Sequence, residues 1–376
     1  MDARWAPMMR LALACTLAAI GALATVAPPV PPPARATPLT HDAYVWQRRW
    51  TDAVRTSVGA APAEVAGLRV LLLDQAADGA AAWPAVDAAS LRAAGRPVTA
   101  VVRLDGARLP ATVPLAEVLA RVDAWRAAGA PVVGVEIDHD CATAALPDYA
   151  RWLAAVRLPP ALRLSVTALP AWAASPALPR VAAAVDELVL QVHAVRAPRL
   201  FEPAQARRDL VRFAEVVPAT QLRVALPTYD TVIRGRLVRS DPAEVAGFVR
   251  WLGQRGAPAV RGVVWFRLPV DGDARAWPAS TLAAVMAGHA PRSTVVVQVR
   301  PTGPGRADLV LTNPGPAPAP WPDLRVDGRV SGVELLGYQP RPAPGRTFTA
   351  PRRQLAAGAS TVIGWATGQE VRLDAI

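Results

Sequence analysis

The sequence predicts an α/β protein: a (β/α)8 TIM-type barrel followed by a small C-terminal β-sandwich-like domain. Eight short apolar runs typical of strands follow one another between residues 41 and 290, and segments of helical periodicity separate most of them. Helical periodicity then disappears over residues 291–376. A doubly wound open sheet is the alternative. No glycine-rich phosphate loop follows any of the runs, which removes the commonest reason for an open nucleotide-binding fold.

The N-terminus has the features of an export signal. Arg4 and Arg10 precede the apolar run LALACTLAAIGALA, which is too short to span a bilayer comfortably and ends in the small-x-small signal ALA. We therefore predict a signal peptide over residues 1–24 and a periplasmic or extracellular location. Contact with a membrane is expected only through this segment, if it stays uncleaved or is lipidated at Cys15. Residues 25–40 are predicted to form a Pro-rich linker.

The barrel is predicted over residues 41–290. Its strands are expected in the runs AYVWQ, LRVLLLD, VTAVVRLD, VVGVEIDHD, LRLSVTALP, ELVLQVHAV, LRVALPTYD and VRGVVWFRLP. The segments LAEVLARVDAW, LPDYARWLAAV and SDPAEVAGFVRWL place apolar residues at i, i+3, i+4 and i+7, which predicts helices. Asp241 is a plausible N-cap of the last, with Pro242 in its first turn. The segment between the first two runs shows the weakest helical pattern.

Residues 291–376 are predicted to form the small all-β domain. The runs STVVVQVRP, ADLVLTNPG, LRVDG and STVIGWAT are short and are separated by turns rich in Pro and Gly. This pattern is typical of antiparallel sheets.

The basic composition does not indicate a nucleic-acid-binding protein. The formal charge is +11, but all 41 basic residues are arginine and they are scattered, without a basic run or a basic patch interleaved with aromatic residues. Together with the 39 prolines, this composition is typical of GC-rich codon usage. Removal of the signal would leave Cys141 as a single cysteine, so no intrachain disulfide is expected. Cys141 is either a nucleophile or a buried side chain beside the site, and the second is favoured.

Three carboxylates end the fourth predicted strand. Glu136, Asp138 and Asp140 share one face because side chains alternate along a strand, and catalytic residues of such barrels lie at the C-terminal strand ends. Like charges so close together destabilise a purely structural strand. Crowded carboxylates also raise one another's pKa, so one can act as a general acid while a second stabilises developing positive charge. This predicts the chemistry of glycoside hydrolysis, with Glu136 supporting the other two from below.

Other strand ends supply the candidate substrate-binding residues. Aromatic rings at the rim fit a sugar site, and the pairs Gln191/His193 and Trp265/Arg267 are each predicted to point toward the barrel axis. His139 points the other way, which argues against a metal site built from residues 138–140. No metal or cofactor is predicted. The candidate residues are Tyr44, Trp46, Arg103, Asp105, Gln191, His193, Tyr229, Trp265 and Arg267.

The stretch VGVEIDHD resembles the fourth-strand signature D-G-x-D-x-D-x-E of the chitinase-like family 18 glycoside hydrolases. Gly134 and Asp138 match that signature, and Glu136 stands at its middle Asp. The resemblance implies a general acid at Asp140 and an orienting carboxylate at Asp138. The stretch GVVWFRLP is similar to that family's last strand, which implies a sugar-stacking Trp265. The sequence departs from the signature in Val133, at its first Asp, and in Asp140, which is one methylene shorter than Glu.

A broader resemblance spans most of the mature chain. The stretches YVWQRRW, EIDHDCATAALPDYARWL, LSVTALPAW, LQVHAV, ALPTY and GVVWFRLP are similar to the bacterial family catalogued as domain of unknown function 3142. This resemblance implies an exported barrel and no particular activity.

Two main functional hypotheses follow from the sequence. The first is an exported glycoside-hydrolase-like enzyme acting on a polysaccharide or an N-acetylated glycan. The second is a non-catalytic carbohydrate-binding or envelope polysaccharide-assembly protein on the same barrel, to which the Asp at position 140 points. A minor third is a metal-dependent hydrolase using Asp138, Asp140 and His193. In the first two the expected partner is a carbohydrate polymer or oligosaccharide.

Overall fold

The computed structural model describes residues 38–376 except 197, 218–221, 255–259, 274, 343–344 and 352. The predicted signal peptide and most of the predicted linker lie outside the described residues. The described part falls within one compact unit that runs from Ala34 to Ile376. No helix in this part is both long and apolar enough to cross a membrane.

Eight parallel strands form a closed barrel, which confirms the predicted fold class. Each strand pairs with the next along the chain, and the last pairs with the first, where Thr40 to Ala43 align with Gly262 to Trp265. The strands are β1 (Thr40–Val45), β2 (Val65–Gln75), β3 (Val98–Leu104), β4 (Val132–His139), β5 (Arg163–Ala168), β6 (Glu187–Gln191), β7 (Leu222–Pro227) and β8 (Val260–Phe266).

Helices cover the outside of the barrel. They are α1 (Asp52–Gly59), α2 (Ala88–Ala94), α3 (Leu115–Ala127), α4 (Leu146–Ala155), α5 (Leu178–Ala183), α6 (Pro203–Ala214), α7 (Pro242–Gln254) and α8 (Ala279–Met286), with 3-10 turns at Thr143–Ala145 and Pro170–Ala174. The weakly patterned segment between the first two strands is therefore helical. Asp241 also caps α7 as predicted, since its Oδ1 accepts from the amide of Ala243 at 2.8 Å.

The barrel has an apolar middle layer inside. Tyr44, Val101, Val189, Ala225 and Val264 form a buried cluster that is separate from the larger core between strands and helices. Because side chains alternate along a strand, the residues two positions before and after each member of this cluster also point into the barrel.

Short antiparallel pairs extend the loops after three strands. Ala81–Ala82 pairs with the end of β2, His193–Arg196 pairs with Arg199–Phe201 after β6, and Thr231–Ile233 pairs with Arg236–Val238 after β7. All lie at the C-terminal ends of the barrel strands, so they frame the opening that we call the mouth.

The C-terminal domain is antiparallel, as predicted. Its six-stranded sheet contains β9 (Val296–Gly303), β10 (Arg306–Thr312), β11 (Leu324–Leu335), β12 (Arg346–Thr349), β13 (Ser360–Ala375) and the short strand Gln339–Pro340. A two-stranded ladder of Ala319–Pro320 and Gln354–Leu355 contributes Ala319 and Leu355 to the same hydrophobic core.

Candidate functional site

Five charged residues, two of them buried and three partly buried, form a layer below the apolar middle of the barrel, which we call the ionic layer. Its members are Asp42, Arg69, Glu136, Glu187 and Arg223. Arg69 donates to Asp42 Oδ2 at 2.9 Å and also pairs with Glu136 and Glu187. Arg223 donates to Glu187 Oε2 at 2.6 Å. Gly262 leaves room for this layer, because a Cβ atom there would lie 2.7 Å from Arg223 Nη1.

Glu136 belongs to the ionic layer rather than to the mouth. Its side chain is fully buried, Tyr44 donates its hydroxyl to Oε1 at 2.6 Å, and Ser165 donates to Oε2 at 3.2 Å. Burial raises the pKa of Glu136, and the Arg69 guanidinium opposes this rise. Both carboxylate oxygens therefore accept hydrogen bonds from other side chains of the barrel interior. These contacts give Glu136 a structural role.

Asp138 and Asp140 are bridged by one arginine from the neighbouring strand. Arg103 Nη1 donates to Asp138 Oδ2 at 2.9 Å, and Arg103 Nη2 donates to Asp140 Oδ2 at 2.8 Å. The same guanidinium binds Asp105, at 3.1 Å from Nε to Oδ1. We call these four residues the Arg103 cluster. The positive charge of Arg103 therefore offsets the repulsion between the three carboxylates, which is smaller than the sequence suggested.

The two carboxylates differ in burial. Asp138 is buried and also accepts from Thr167 Oγ1 at 2.6 Å, and burial raises its pKa while Arg103 opposes this rise. The side chain of Asp140 is 40% exposed and lines a cavity of about 390 Å³ together with Gln191. The loop after β5, Ala194 and Val195 of the short pair after β6, and residues of α6 form the rest of this cavity. Asp140 is thus accessible to a ligand while Asp138 supports the cluster beneath it.

Aromatic rings collect around Phe266 on the other side of the mouth. The ring of Phe266 lies 5.1 Å from Trp46, 5.5 Å from Tyr229 and 5.5 Å from His193, between centroids. We call these four residues the aromatic cluster. Trp46, Tyr229 and Phe266 are each partly exposed. The Gln191 amide donates to the backbone carbonyl of His193 at 3.2 Å, which joins this cluster to the cavity beside Asp140.

His193 is fully buried in the aromatic cluster. Desolvation lowers its pKa to about 3, and Nδ1 has no hydrogen-bond partner among the described residues. The imidazole is therefore neutral at physiological pH. Within the described residues, no group of three or more His, Cys, Asp or Glu side chains is arranged to hold a metal ion, so His193 does not join Asp138 and Asp140 in a ligand set.

Three predicted positions differ from the sequence-based expectation. Trp265 does not point into the mouth: it is fully buried on the outer face of β8, where Nε1 donates to His41 Nδ1 at 3.1 Å. Arg267 turns into the loop after β8 and pairs with Asp273. Tyr44 is buried below the rim, with its hydroxyl on Glu136. The placement of Trp265 with the other candidates was therefore wrong, and Phe266 is the aromatic residue of β8 that faces the mouth.

Sequence reasoning missed Phe266 and Arg69. Arg69 could have been found from the strand pattern, because it is a basic residue inside an otherwise apolar strand, where a buried cation needs carboxylate partners. Phe266 could not, because β8 is apolar on both faces and the pattern does not show which face points inward.

Cys141 is buried, as favoured from the sequence. Burial raises the pKa of its thiol to about 11, so the reactive thiolate is disfavoured at neutral pH. Its backbone carbonyl accepts from the indole of Trp172 at 2.8 Å, which fixes the chain directly after Asp140.

Several solved structures are similar to this chain at low identity. A chitinase from Chromobacterium violaceum is 14% identical, with coverage of 66% of this chain and 98% of the other and a TM-score of 0.46. The spore cortex-lytic enzyme SleL from Bacillus cereus is 13% identical, with coverage of 66% and 74% and a TM-score of 0.45. The chitinase ChiA74 from Bacillus thuringiensis is 9% identical, with coverage of 90% and 100% and a TM-score of 0.41.

A comparison with curated proteins finds no match. A family model does match residues 94–237, the part of the barrel that contains β3 to β7, the Arg103 cluster and His193. Over these residues the match confirms the predicted family resemblance: residues 94–237 are similar to the family described as Domain of unknown function (DUF3142).

Proposed function

We propose that the chain is a glycoside hydrolase that binds a polysaccharide or an N-acetylated glycan at the mouth of the barrel. Asp140 is the general acid, and Asp138 is the carboxylate that orients the substrate or stabilises developing positive charge. The observation that carries this proposal is the position of Asp140: it is partly exposed to a cavity, directly above a buried carboxylate held by Thr167 and Arg103.

The aromatic cluster supports a carbohydrate as the ligand. Trp46, Tyr229 and Phe266 present partly exposed rings at the mouth, and the apolar faces of sugars stack on such rings. Gln191 adds an amide beside Asp140, which can bind sugar hydroxyls. An aromatic surface next to a few polar groups is the usual composition of a small-ligand site.

A non-catalytic glycan-binding protein is the second candidate, and one contact favours it. The ion pair between Arg103 Nη2 and Asp140 Oδ2 stabilises an ionised carboxylate, whereas a general acid must carry a proton. The shorter reach of Asp140 compared with a Glu points the same way, because a displacement of about 1 Å can cost about a hundredfold in rate.

Export is part of this proposal. The charged start, the short apolar run and the cleavage signal over residues 1–24 support a periplasmic or extracellular protein. Expression of the full chain with a C-terminal tag in a Gram-negative host, followed by fractionation and mass determination, tests it. A mature protein that begins near Thr25 outside the cytoplasm is expected, and a full-length cytoplasmic chain would contradict export.

Hydrolysis and binding should be measured in parallel on a panel of N-acetylated glycans and bacterial exopolysaccharides. Asp140→Asn should lower turnover by roughly a hundredfold or more, in line with the loss of general-acid catalysis, while binding measured by calorimetry survives. Asp138→Asn should lower both turnover and binding. Asp52→Asn is the control, because Asp52 is fully exposed on α1 outside the barrel.

The outcomes separate the two candidates. Turnover that is unchanged in Asp140→Asn would remove this residue from the acid role. Binding without turnover in the wild-type protein across the panel would establish the second candidate instead of the enzyme.

A further inference from the structure

A second cavity, of about 520 Å³, lies where the barrel meets the C-terminal domain. Its barrel wall consists of Asp230 and Arg239 from the loop after β7, residues 269–273 of the loop after β8, and the start of α8. Its other wall consists of Pro318 and residues 356–359 of the C-terminal domain. The volume is within the range of small-ligand sites.

The cavity wall is next to the aromatic cluster in the chain. Tyr229, whose ring lies 5.5 Å from Phe266 and 6.0 Å from His193, directly precedes Asp230 in the chain. The loop after β8 is fixed to the same segment, because the amide of Asp230 donates to the carbonyl of Arg275 at 2.6 Å and the amide of Trp277 donates to the carbonyl of Thr228 at 2.8 Å. Tyr229 of the aromatic cluster and Asp230 of the cavity wall are therefore consecutive residues of one fixed segment.

The polar groups of the cavity suit sugar hydroxyls, which both donate and accept hydrogen bonds. Asp230 is partly buried, and burial raises its pKa. Its Oδ1 accepts from the amide of Ser240 at 3.2 Å, while Oδ2 lies 3.9 Å from Arg239 Nε, which is too long for a hydrogen bond. An acceptor at the cavity wall thus retains capacity for a ligand donor.

The start of α8 lies on the same wall. Its N-cap residue Pro278 has no side chain that can bond the first-turn amides, and Ala279 and Thr281 line the cavity. Asp230 and Asp271 as acceptors and Arg239 as a donor line the same cavity, and Asp273 is already paired with Arg267. Charges of both signs on one wall match a neutral polyhydroxylated ligand better than an ion of either sign.

We infer that this cavity is a second glycan subsite, which the C-terminal domain completes and which binds further sugar units of the chain held at the mouth. The inference rests on the proposed function and deepens it: the ligand is an oligomer long enough to reach from the aromatic cluster to Asp230, rather than a single sugar. It also gives the C-terminal domain a direct part in binding.

The test compares affinities of N-acetylglucosamine oligosaccharides from dimer to hexamer by calorimetry. Affinity of the wild-type full chain should rise by about tenfold or more between the short and the long members. Ala357→Trp places a large ring in the cavity from the C-terminal wall and should abolish this rise while leaving the affinity of the dimer unchanged. Ala375→Trp is the matched control, because Ala375 is exposed on the same domain away from the cavity.

Hydrogen exchange provides a second measurement that needs no variant. The hexamer should protect the amides of residues 356–359 in the wild-type protein, and the dimer should not. Dimer binding with no gain on lengthening and no protection would overturn the second subsite and leave the proposed function standing. If neither this series nor oligosaccharides prepared from the bacterial exopolysaccharides of the panel bind, both fall.

Discussion

Replacement of Arg103 by methionine tests the central contact of the candidate site. The side chain of Arg103 is 20% exposed and binds Asp138 and Asp140, of which Asp138 is buried. Methionine keeps much of the length and volume of the side chain but removes the cation. The variant therefore leaves a buried carboxylate with Thr167 as its remaining side-chain partner among the described residues.

The expected loss of stability in Arg103→Met follows from the burial of Asp138. Removing one partner of a buried ion pair typically destabilises a protein by about 3–5 kcal/mol, because the other charge remains buried without compensation. The 40% exposure of Asp140 reduces its own share, so most of the loss is assigned to Asp138. Arg48→Met is the matched control: Arg48 is largely exposed in its pair with Asp74, and its loss should cost about 0–1 kcal/mol.

The loss should also depend on pH. Burial already raises the pKa of Asp138, and removing Arg103 takes away the charge that opposes this rise. The folded state of the variant then binds more protons than the unfolded chain at pH values above about 3.9. Its stability therefore falls as pH rises through the window between the unfolded and the raised folded pKa of Asp138.

Chemical denaturation followed by tryptophan fluorescence at pH 5 and pH 7.5 measures both effects. The variant should be closer to the wild type at the lower pH, and a further Asp138→Asn change should recover part of the loss at the higher pH. A loss below about 1 kcal/mol at pH 7.5, equal to that of Arg48→Met, would refute the reasoning.

Three further predictions concern the interior. Arg69→Met should lower the free energy of unfolding by about 3–5 kcal/mol in denaturant titrations, because the buried Glu136 loses the cation with which it pairs; a loss near zero would contradict the ionic layer. Trp265→Phe should cost about 1–3 kcal/mol and leave glycan affinity unchanged, whereas Trp46→Ala should weaken binding; the reverse pattern in calorimetry would return Trp265 to the mouth. The imidazole signals of His193 should stay constant in NMR spectra from pH 8 to pH 5, since its pKa is about 3. Because this is below the unfolded value of about 6.5, His193 should reduce stability as pH falls below that value, and a titration near pH 6 would show that the site is hydrated.

The order of strands and helices was predictable because the spacing of apolar residues within each segment indicates its type. Runs such as VTAVVRL became β3, and the i, i+3, i+4, i+7 pattern around Trp152 became α4. Closure of the barrel followed from the number and alternation of the elements, which need no information about distant contacts.

The faces of the strands were less predictable, and β8 shows why. Its sequence VRGVVWF is apolar on both faces, so nothing in the pattern distinguishes the side that points inward. The placement of Trp265 in the mouth rested on its sharing a face with Arg267 and on the resemblance to another family's strand, and neither shows which face points inward. The observed inner residues Val264 and Phe266 are set by packing against Tyr44, which lies more than two hundred residues away in the chain.

The contacts of the acidic strand could not be predicted from the sequence either. The alternation of β4 predicted that Glu136 and Asp138 share a face, and both do point into the barrel. The alternation could not show that Arg69 lies against the first and Arg103 against the second, because those partners are fixed by the pairing of separate strands. The sequence therefore showed how many carboxylates β4 carries, but it did not show which arginines neutralise them.

The ionic layer has a consequence for how the strands align while the barrel closes. Apolar residues of similar size can exchange neighbours when a strand slides by two positions, because the side chains keep facing the same way. Arg69 contacts carboxylates from β1, β4 and β6, so such a slide would leave charges buried without partners. The buried charges therefore raise the free energy of a misaligned barrel far more than its apolar contacts alone would. They favour one alignment of the strands among closed barrels that are otherwise similar.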